Sequence, residues 1–472
     1  MSGVPHRASG GSSSFQHIAN AFFAEPGLPL ARLLSAEQIE DIFAKHGRLF
    51  GGIYTTAVIV WAFLGQVLRD GKEAACQAAV ARITTHCLVT GTRPPTGDTG
   101  DYCKARAKLP VAALHELSTV VAEGLQEQAQ DVWLFKGRHA KLVDGFTFTM
   151  PDTVENQAEF PQAKTQQPGI GFPIARAVAV LSLATACVLE AAMGPYSGKE
   201  TGESALLRQL LHCFRPGDVA VLDRYYCSFL MIALLLAKET DVCTRLHQRR
   251  HCDFRRGQRL GKYDHLIEWT RPLRPAWMDP AVYETIPPTM TLRELRFNVV
   301  EKGRRTKTMT IVTTLTDAKQ YTKEEIAELY GFRWNSELDI RSIKDALNLA
   351  HVRCKSPAMV RREVWTTLLA YNLIRTTAAA AALLHDKQPR QLGFTSTCQY
   401  VLASWAILSA GLIAADQLVV YCLSQLEQIA ACEVANRPGR LEPRVLKRRR
   451  HGYKLMRKPR HVLRQELENR CK

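Results

Sequence analysis

The pattern of apolar and polar positions changes twice along the chain. Over residues 36–128 apolar positions recur at helical spacing, as in AEQIEDIFAKHG and TTAVIVWAFLGQVLRD, interrupted by the turn-rich TGTRPPTGDTGDY at 90–102. This predicts an all-helical N-terminal region. From residue 131 the texture becomes a series of short strand-like runs: VWLFKG, AKLVDGFTFTM, ARAVAVLSLAT, CVLEAAMG and GDVAVLDRYY, with a helix, GESALLRQLLHCF, ahead of the last. A helix, CSFLMIALLLAKE, and a strand near DVCTRLHQ follow. Three further strand-like runs, YDHLIEWT, LRELRFNVVE and KTMTIVTTLT, are joined by Pro-rich and basic loops. Residues 357–384 and 397–430 return to Ala/Leu-rich helices of a packing type, whereas the Gly/Ser-rich opening SGVPHRASGGSSSF predicts a disordered tail over residues 1–30.

One stretch, residues 325–348, carries candidate chemistry on its helical wheel. Thr322 followed by Glu325 reads as a capping box that opens a helix. At about 100° per residue, Tyr330, Arg333, Glu337 and Lys344 share an arc roughly 60° wide. They lie beside an apolar stripe of Leu329, Phe332, Ile340, Ile343 and Leu347. The helix is thus expected to bury one face and to carry a row of Tyr, Arg, carboxylate and Lys along its edge. A carboxylate among three phosphate-friendly donors suits a metal-bound phosphodiester. The residues alone leave open the plainer alternative, a solvated face of an amphipathic helix.

Composition narrows the class. A chain of 472 residues is long enough for two to four modules, and 46% hydrophobic with 8% aromatic residues is ordinary for a soluble globular protein. The net charge of +17 points to a polyanionic partner, nucleic acid before membrane. From Arg437 to Lys472 there are 14 Lys and Arg against 3 acidic residues, so this tail alone contributes +11. Its Pro and Gly content argues against a continuous helix and for ordering on DNA. Thirteen cysteines without any C-x-x-C pattern argue for reduced thiols in a cytoplasm and against a disulfide framework or zinc ribbon. His247-x3-His251-Cys252 could form a metal corner. Because it sits among Arg245, Arg249, Arg250, Arg255 and Arg256, a basic strand and loop is the preferred reading. No secretory pattern opens the chain, and the longest apolar runs, such as Val401–Ala415, end before 18 residues, so no transmembrane helix is expected.

The spacing Tyr330-x2-Arg333-x3-Glu337-x6-Lys344 resembles the Y-(2)-R-(3)-E-(6)-K signature of DDE transposases of the insertion-sequence-four family. VTTLTD at 312–317, ELYGFRW at 328–334 and AHVRCKSPAMVRREVWTTLLAYNLIR at 350–375 agree with it, and the resemblance runs from about Tyr102 to Arg460. It implies an α/β fold: a ribonuclease-H-like catalytic core, residues 131–247 and 311–356, interrupted by a β-rich insertion at 248–310. Around this core it implies a helical N-terminal domain at 31–130 for DNA-end recognition or dimerisation, a helical C-terminal region at 357–436 and a basic tail at 437–472.

Such a core carries acidic residues on its first strand, its fourth strand and a later helix, which here means Asp144, Asp223 and Glu337. KLVDGFTFTMPDTVENQ and GDVAVLDRYYCSF resemble the family's two acidic blocks. Phe146 departs from the pattern, since a small hydroxyl residue is more usual there. Asp152 and Asp218 are nearby alternatives. Asp144 is preferred because it follows Leu142-Val143, and Asp223 because it ends the run VAVL. Asp218 reads as a turn residue after Pro216-Gly217. Three carboxylates brought together without a cation would repel and raise one another's pKa. The resemblance accordingly implies two Mg²⁺ held by Asp144, Asp223 and Glu337, with Mn²⁺ able to substitute.

It also implies phosphate contacts from Tyr330, Arg333, Lys344 and Arg341, and a stacking face for a flipped base on Trp334. Within the insertion, Arg249, Arg250, Arg255, Arg256, Arg259, Lys262, Arg304, Arg305 and Lys307 are candidate phosphate contacts. The implied activity is cleavage at transposon ends and joining of the 3′ ends to target DNA, through a hairpin intermediate, by a synaptic homodimer. The implied setting is a bacterial, nucleoid-associated cytoplasmic one. The alternatives are a metal-dependent nuclease without strand transfer and a catalytically silent DNA-binding protein. A membrane-surface protein is disfavoured because no amphipathic anchor accompanies the basic tail.

Overall fold

The computed structural model describes residues 34–299, 307–409, 413–435 and 456–470. The expected N-terminal tail at 1–30, Arg304, Arg305 and most of the basic tail lie outside these residues.

The N-terminal region is helical, as its periodicity predicts: α1 (Ala36–Lys45), α2 (Thr56–Val67), α3 (Cys76–Val89), α4 (Gly100–Ala107) and α5 (Val111–Glu127). A reciprocal capping box between Ser35 and Gln38 starts α1, and the Thr55 hydroxyl caps α2. The first strand-like run, VWLFKG, does not form a strand. Lys136 (φ 52°) and Gly137 (φ 75°) both adopt left-handed backbone and fold the segment into a tight turn closed by a single bridge between Phe135 and Arg138.

The remaining runs do form strands: β1 (Ala140–Thr149), β2 (Ile174–Ser182), β3 (Val188–Pro195), β4 (Val219–Leu222) and β5 (Asp241–Arg245). Between them lie α6 (Val154–Glu159), α7 (Glu203–Gln209) and α8 (Phe229–Leu236). β6 (Gln258–Gly261), β7 (Asp264–Thr270), β8 (Thr289–Val299) and β9 (Lys307–Thr313) follow, with α9 (Pro280–Thr285) before β8. All nine strands belong to one sheet in the order β3-β2-β1-β4-β5-β9-β8-β7-β6. β1 is antiparallel to β2 and parallel to β4, which is parallel to β5; every pair beyond β5 is antiparallel. The strands between 248 and 310 therefore extend the central sheet through β9 rather than forming a sheet of their own.

The chain ends in α10 (Lys323–Gly331), α11 (Trp334–Arg341), α12 (Pro357–Leu384), α13 (Phe394–Ser409), α14 (Ala415–Ala431) and α15 (Arg460–Arg470). The Thr322–Glu325 capping box forms as expected. The single helix expected over 325–348 does not. The track breaks at Phe332–Arg333 between α10 and α11 and finishes in a wide π-helical turn over Ser342–Ala346. These breaks change the angular phase. Leu329, Ile340, Ile343 and Leu347 remain buried, while Phe332 swings out to 37% exposure.

Both faces of the sheet are covered around β4 (VAVL), which is buried at every position. On one side Leu206, Leu207, Phe229, Ile232 and Leu235 of α7 and α8 pack with Val143, Val178, Ala220 and Leu222. The other core is continuous from Phe43, Ile59, Phe63 and Leu117 through Leu142 and Val221 to Leu329, Ile343 and Leu368. The N-terminal helices thus share a core with the sheet. Asn372, wholly buried in α12, joins three elements: its Oδ1 accepts from Val188 N–H (2.9 Å), and its Nδ2 donates to the Val188 carbonyl (2.9 Å) and the Ser118 carbonyl (3.1 Å). Among the described residues α12 is the one helix long and apolar enough to cross a membrane, and most of it is buried in the protein.

Candidate active site

Two parallel strands set the positions of two carboxylates. The ladder between β1 and β4 ends at the pair Val143–Leu222, and the next residue on each strand is acidic: Asp144 and Asp223. Neighbouring strands lie about 4.8 Å apart, so the register holds the two backbones side by side. β4 stops at this point, where Asp223 starts a short 3₁₀ turn, while β1 continues against β2. The end of β4 thereby opens a notch next to Asp144.

α11 closes over that notch. Ser336 Oγ lies 2.9 Å from Asp144 Oδ2 and 2.7 Å from the Arg333 carbonyl, so its one proton serves two acceptors. The Gly145 N–H donates to Asp144 Oδ1 (2.9 Å). Arg333 lies across two carboxylates. One Nη pairs with Glu337 a turn further along, and the other is 3.5 Å from Asp144 Oδ2. Tyr330 is buried at the end of α10. Burial is the main cause that raises its phenol pKa, with Arg333 opposing and the charge of Asp223 adding to the rise. The structure therefore brings Asp144, Asp223, Glu337, Tyr330 and Arg333 together.

It does not bring Lys344, Arg341 or Trp334 into the same contacts. Lys344 is half-buried on the π-helical turn and Arg341 is exposed; neither side chain has an ion pair or hydrogen bond among the described residues. Trp334 is 53% exposed beside Arg333. Asp218 is a structural residue, buried against Lys141 Nζ (2.5 Å) and accepting from Arg215 N–H (2.7 Å). Asp152 is exposed and accepts from Gln157 (2.8 Å). In the inserted strands and loops Arg249, Arg250, Arg255, Arg256, Arg259 and Lys262 are all exposed.

A fourth carboxylate joins the group that sequence reasoning missed. Glu203, the first residue of α7, packs over the Cα of Gly145; a Cβ there would stand 2.5 Å from its carboxyl carbon. Its pKa is raised, first by burial and then by the negative charges of Asp144 and Asp223, against the pull of Arg176. Fifty-eight residues separate it from Asp144 and no motif spacing marks it. The glycine that follows Asp144 was the only trace.

The donor set is chemically uniform. Asp144, Asp223, Glu337 and Glu203 offer only carboxylate oxygens, which suit a hard divalent cation. The Asp144 carboxyl is held above its usual value, mainly by burial and further by Glu337, although Ser336, Arg333 and the Gly145 N–H oppose the shift. Four carboxylates facing two guanidiniums, Arg333 across Asp144 and Glu337 and Arg176 beside Glu203, leave uncompensated negative charge, and a cation fits that imbalance.

Comparison with known proteins places the chain in a family. Residues 136–373 match the family model for the transposase DDE domain, a span that contains all four carboxylates. Over 403 residues the chain is 29% identical to transposase InsG for insertion sequence element IS4 of Escherichia coli (strain K12), covering 84% of this chain and 86% of that protein. The piggyBac transposase synaptic complex with hairpin DNA aligns over 87% of this chain and 85% of its own, at 9% identity and a TM-score of 0.42. The family match defines the class, a DNA-cleaving and strand-transferring enzyme. The chain belongs to the DDE transposases of the insertion-sequence-four family, enzymes that cleave and transfer DNA strands.

Proposed function

We propose that this transposase binds the ends of its insertion sequence and cuts them with two Mg²⁺ held by Asp144, Asp223 and Glu337. The 3′ ends are then joined to target DNA. The observation that carries this reading is the placement of Asp144 and Asp223 at adjacent register positions under the Glu337 helix, with Arg333 spanning Asp144 and Glu337. The strand order β3-β2-β1-β4-β5 and its mixture of antiparallel and parallel pairs support a ribonuclease-H-like core, with residues 248–310 as its insertion and 31–130 as the end-binding or dimerising domain.

Bound there, Mg²⁺ would supply Lewis acidity and charge neutralisation for in-line attack on phosphorus. The protein's own groups do the rest. The strand and helix backbones pre-set the carboxylates, so little reorganisation precedes reaction. The Arg333 fork, which here spans Asp144 and Glu337, has the geometry to hold a phosphate in two parallel hydrogen bonds, and a bound cation would take up the charge of those carboxylates in its place. Tyr330 lines that phosphate position, and Lys344 reaches it from the π-helical turn when DNA is bound. Exposed Trp334 offers a ring on which a displaced base can stack, which favours a hairpin route. The exposed arginines of the 248–262 segment and the basic tail track the DNA backbone. Two copies act together on paired ends, in a bacterial cytoplasm.

The decisive experiment incubates the protein with labelled DNA bearing the element's own ends and a target plasmid. Mg²⁺-dependent 3′ cleavage followed by joining is the expected result. Cleavage without joining would leave a nuclease, and binding without cleavage in either Mg²⁺ or Mn²⁺ would overturn the enzymatic reading.

Glu203 supports the metal ligands from the side opposite α11. Glu203→Gln should raise the Mg²⁺ concentration needed for half-maximal cleavage by about 10–100-fold, the range seen when groups around metal ligands are removed. An unchanged Mg²⁺ titration would assign Glu203 to packing alone.

The raised pKa of Asp144 gives a pH prediction with a definite sign. The ionised form binds metal, so cleavage at limiting Mg²⁺ should fall as pH drops through a midpoint above the ordinary carboxylate value. More Mg²⁺ should move that midpoint downward, because metal and proton compete. In the metal-free protein the linkage runs oppositely: Asp144 adds stability that is full below its unfolded-chain pKa and lost as pH rises through the folded one. Cleavage profiles at two Mg²⁺ concentrations that superimpose would refute the competition.

A further inference from the structure

We propose that Cys252, His265 and Glu294 form a second metal site, of the zinc class, which pins the arginine-rich loop 247–257 to the inserted strands. The three residues come from separate places: Cys252 from the loop after β5, His265 from β7 and Glu294 from the position directly opposite it on β8. Their ligand atoms all lie within 4.8 Å of one another. The sequence pattern His247-x3-His251-Cys252 contained only one of the three. His251 is exposed, and His247 is engaged locally, its Nδ1 accepting from Arg249 N–H (3.2 Å).

The spacing fits a metal better than it fits hydrogen bonds. His265 Nε2 is 3.3 Å from Glu294 Oε2 and 3.8 Å from Cys252 Sγ. Metal bonds of about 2.3 Å to sulfur and about 2.0–2.2 Å to nitrogen and oxygen, set tetrahedrally, separate N from O by about 3.4 Å and N from S by about 3.6 Å. The observed spacings differ from these by about 0.2 Å or less, whereas 3.3 Å is long for a charge-assisted hydrogen bond.

The imidazole is also set up as a ligand. His265 Nδ1 lies 2.6 Å from the Arg256 carbonyl, which can only accept, so Nδ1 carries a proton. In the neutral ring Nε2 is then a bare lone pair, and it faces a thiol and a carboxylate. A lone pair turned toward a carboxylate oxygen calls for a proton or a metal cation between them, and the thiol as third neighbour favours the metal. Glu294 is oriented in the same manner, since its other oxygen accepts from Trp269 Nε1 (3.1 Å). Such bonds to the remote atom of a ligand fix its direction toward the metal. His265 and Glu294 are buried, and Phe254 packs against the imidazole with ring centroids 4.8 Å apart.

A thiolate, an imidazole and a carboxylate select Zn²⁺ or Co²⁺ over Mg²⁺, and three protein ligands leave a fourth position. Thiolate and carboxylate balance a divalent charge, so the loaded site is neutral, and the Cys252 thiol proton leaves to solvent on loading. The clamp holds a loop that already lies flat on β7. Gly257 has φ +77°, and a Cβ there would stand 2.0 Å from the Leu266 carbonyl oxygen. On the reading that this segment contacts DNA, the metal would fix Arg249, Arg250, Arg255 and Arg256 for phosphate binding.

The test uses the purified full chain. After chelation and gel filtration, titration with Co²⁺ should produce a thiolate-to-cobalt charge-transfer band that saturates at one equivalent and is abolished by stoichiometric Zn²⁺. Cys252→Ser should lose the band, and Asp144→Asn should keep it, which separates this site from the carboxylate cluster. Zinc should also slow tryptic cleavage within 247–257 several-fold relative to the metal-free chain. Absence of the band in wild-type protein, or its persistence in Cys252→Ser, would overturn the site. The wild-type titration decides even if a variant fails to fold. Equal tryptic rates with and without zinc would overturn the pinning.

Discussion

Replacing Glu337 by Gln should abolish strand cleavage while leaving DNA binding and folding in place. The side chain is about one-third exposed, and its ion pair is to a residue on the neighbouring turn, so losing its charge costs little stability. In the reaction it is one of three carboxylates proposed to fix metal at the scissile phosphate. Gln keeps the shape but removes the anionic donor. The cleavage rate should fall on the order of 10³-fold or more, equivalent to roughly 4 kcal/mol of barrier. Single-turnover cleavage, gel-shift binding and a thermal melt measured on the same preparations check this. A rate within tenfold of wild type would remove Glu337 from the active site.

Two residues further along the same helix the expectation reverses. Asp339→Ala should leave a chain that unfolds much more easily. Asp339 is 1% exposed and fully paired: Arg375 Nη2 donates to Oδ1 (2.9 Å) and Arg390 Nη1 to Oδ2 (2.8 Å). Arg390 also donates to the Ser182 and Leu183 carbonyls, and Arg375 to the Tyr371 hydroxyl (3.0 Å). This one carboxylate therefore ties α11 to α12 and to the end of β2. Removing it strands two guanidinium groups, one of them almost wholly buried, and breaking a buried pair in this way costs about 3–5 kcal/mol. Denaturant unfolding should show that loss, with a lower melting temperature and reduced soluble yield. Stability within about 1 kcal/mol of wild type would mean that water or a rearranged partner replaces the carboxylate. Such a result would count against α11 as a rigid platform for Glu337.

The contrast between Glu337 and Asp339 shows what can be read from sequence. Both are acidic residues on a mostly polar helix. The Y-R-E-K spacing singled out Glu337, Arg333 and Tyr330, and the apolar run before each residue singled out Asp144 and Asp223 over Asp218 and Asp152. Nothing local distinguished Asp339, whose partners lie 36 and 51 residues away. Glu203 was hidden for the same reason. Its place in the cluster depends on where the loop after β3 and the start of α7 pass over Gly145.

Sequence alone determined the features that depend on near neighbours. These are the helical N-terminal region, most strands of the sheet, the capping box at Thr322 and the limits of α12. Periodicity, capping and motif spacing act over a few residues, and tertiary packing did not override them there. Tertiary structure decided the rest. Paired left-handed residues turned VWLFKG into a tight turn. Packing broke the 325–348 track and widened its last turn, which left Lys344 away from the carboxylates. β9 drew the inserted strands into the central sheet, and the β7–β8 register set His265 opposite Glu294. Each of these outcomes rests on contacts between segments far apart in the chain, and their energy comes from burial and electrostatics that no local pattern records.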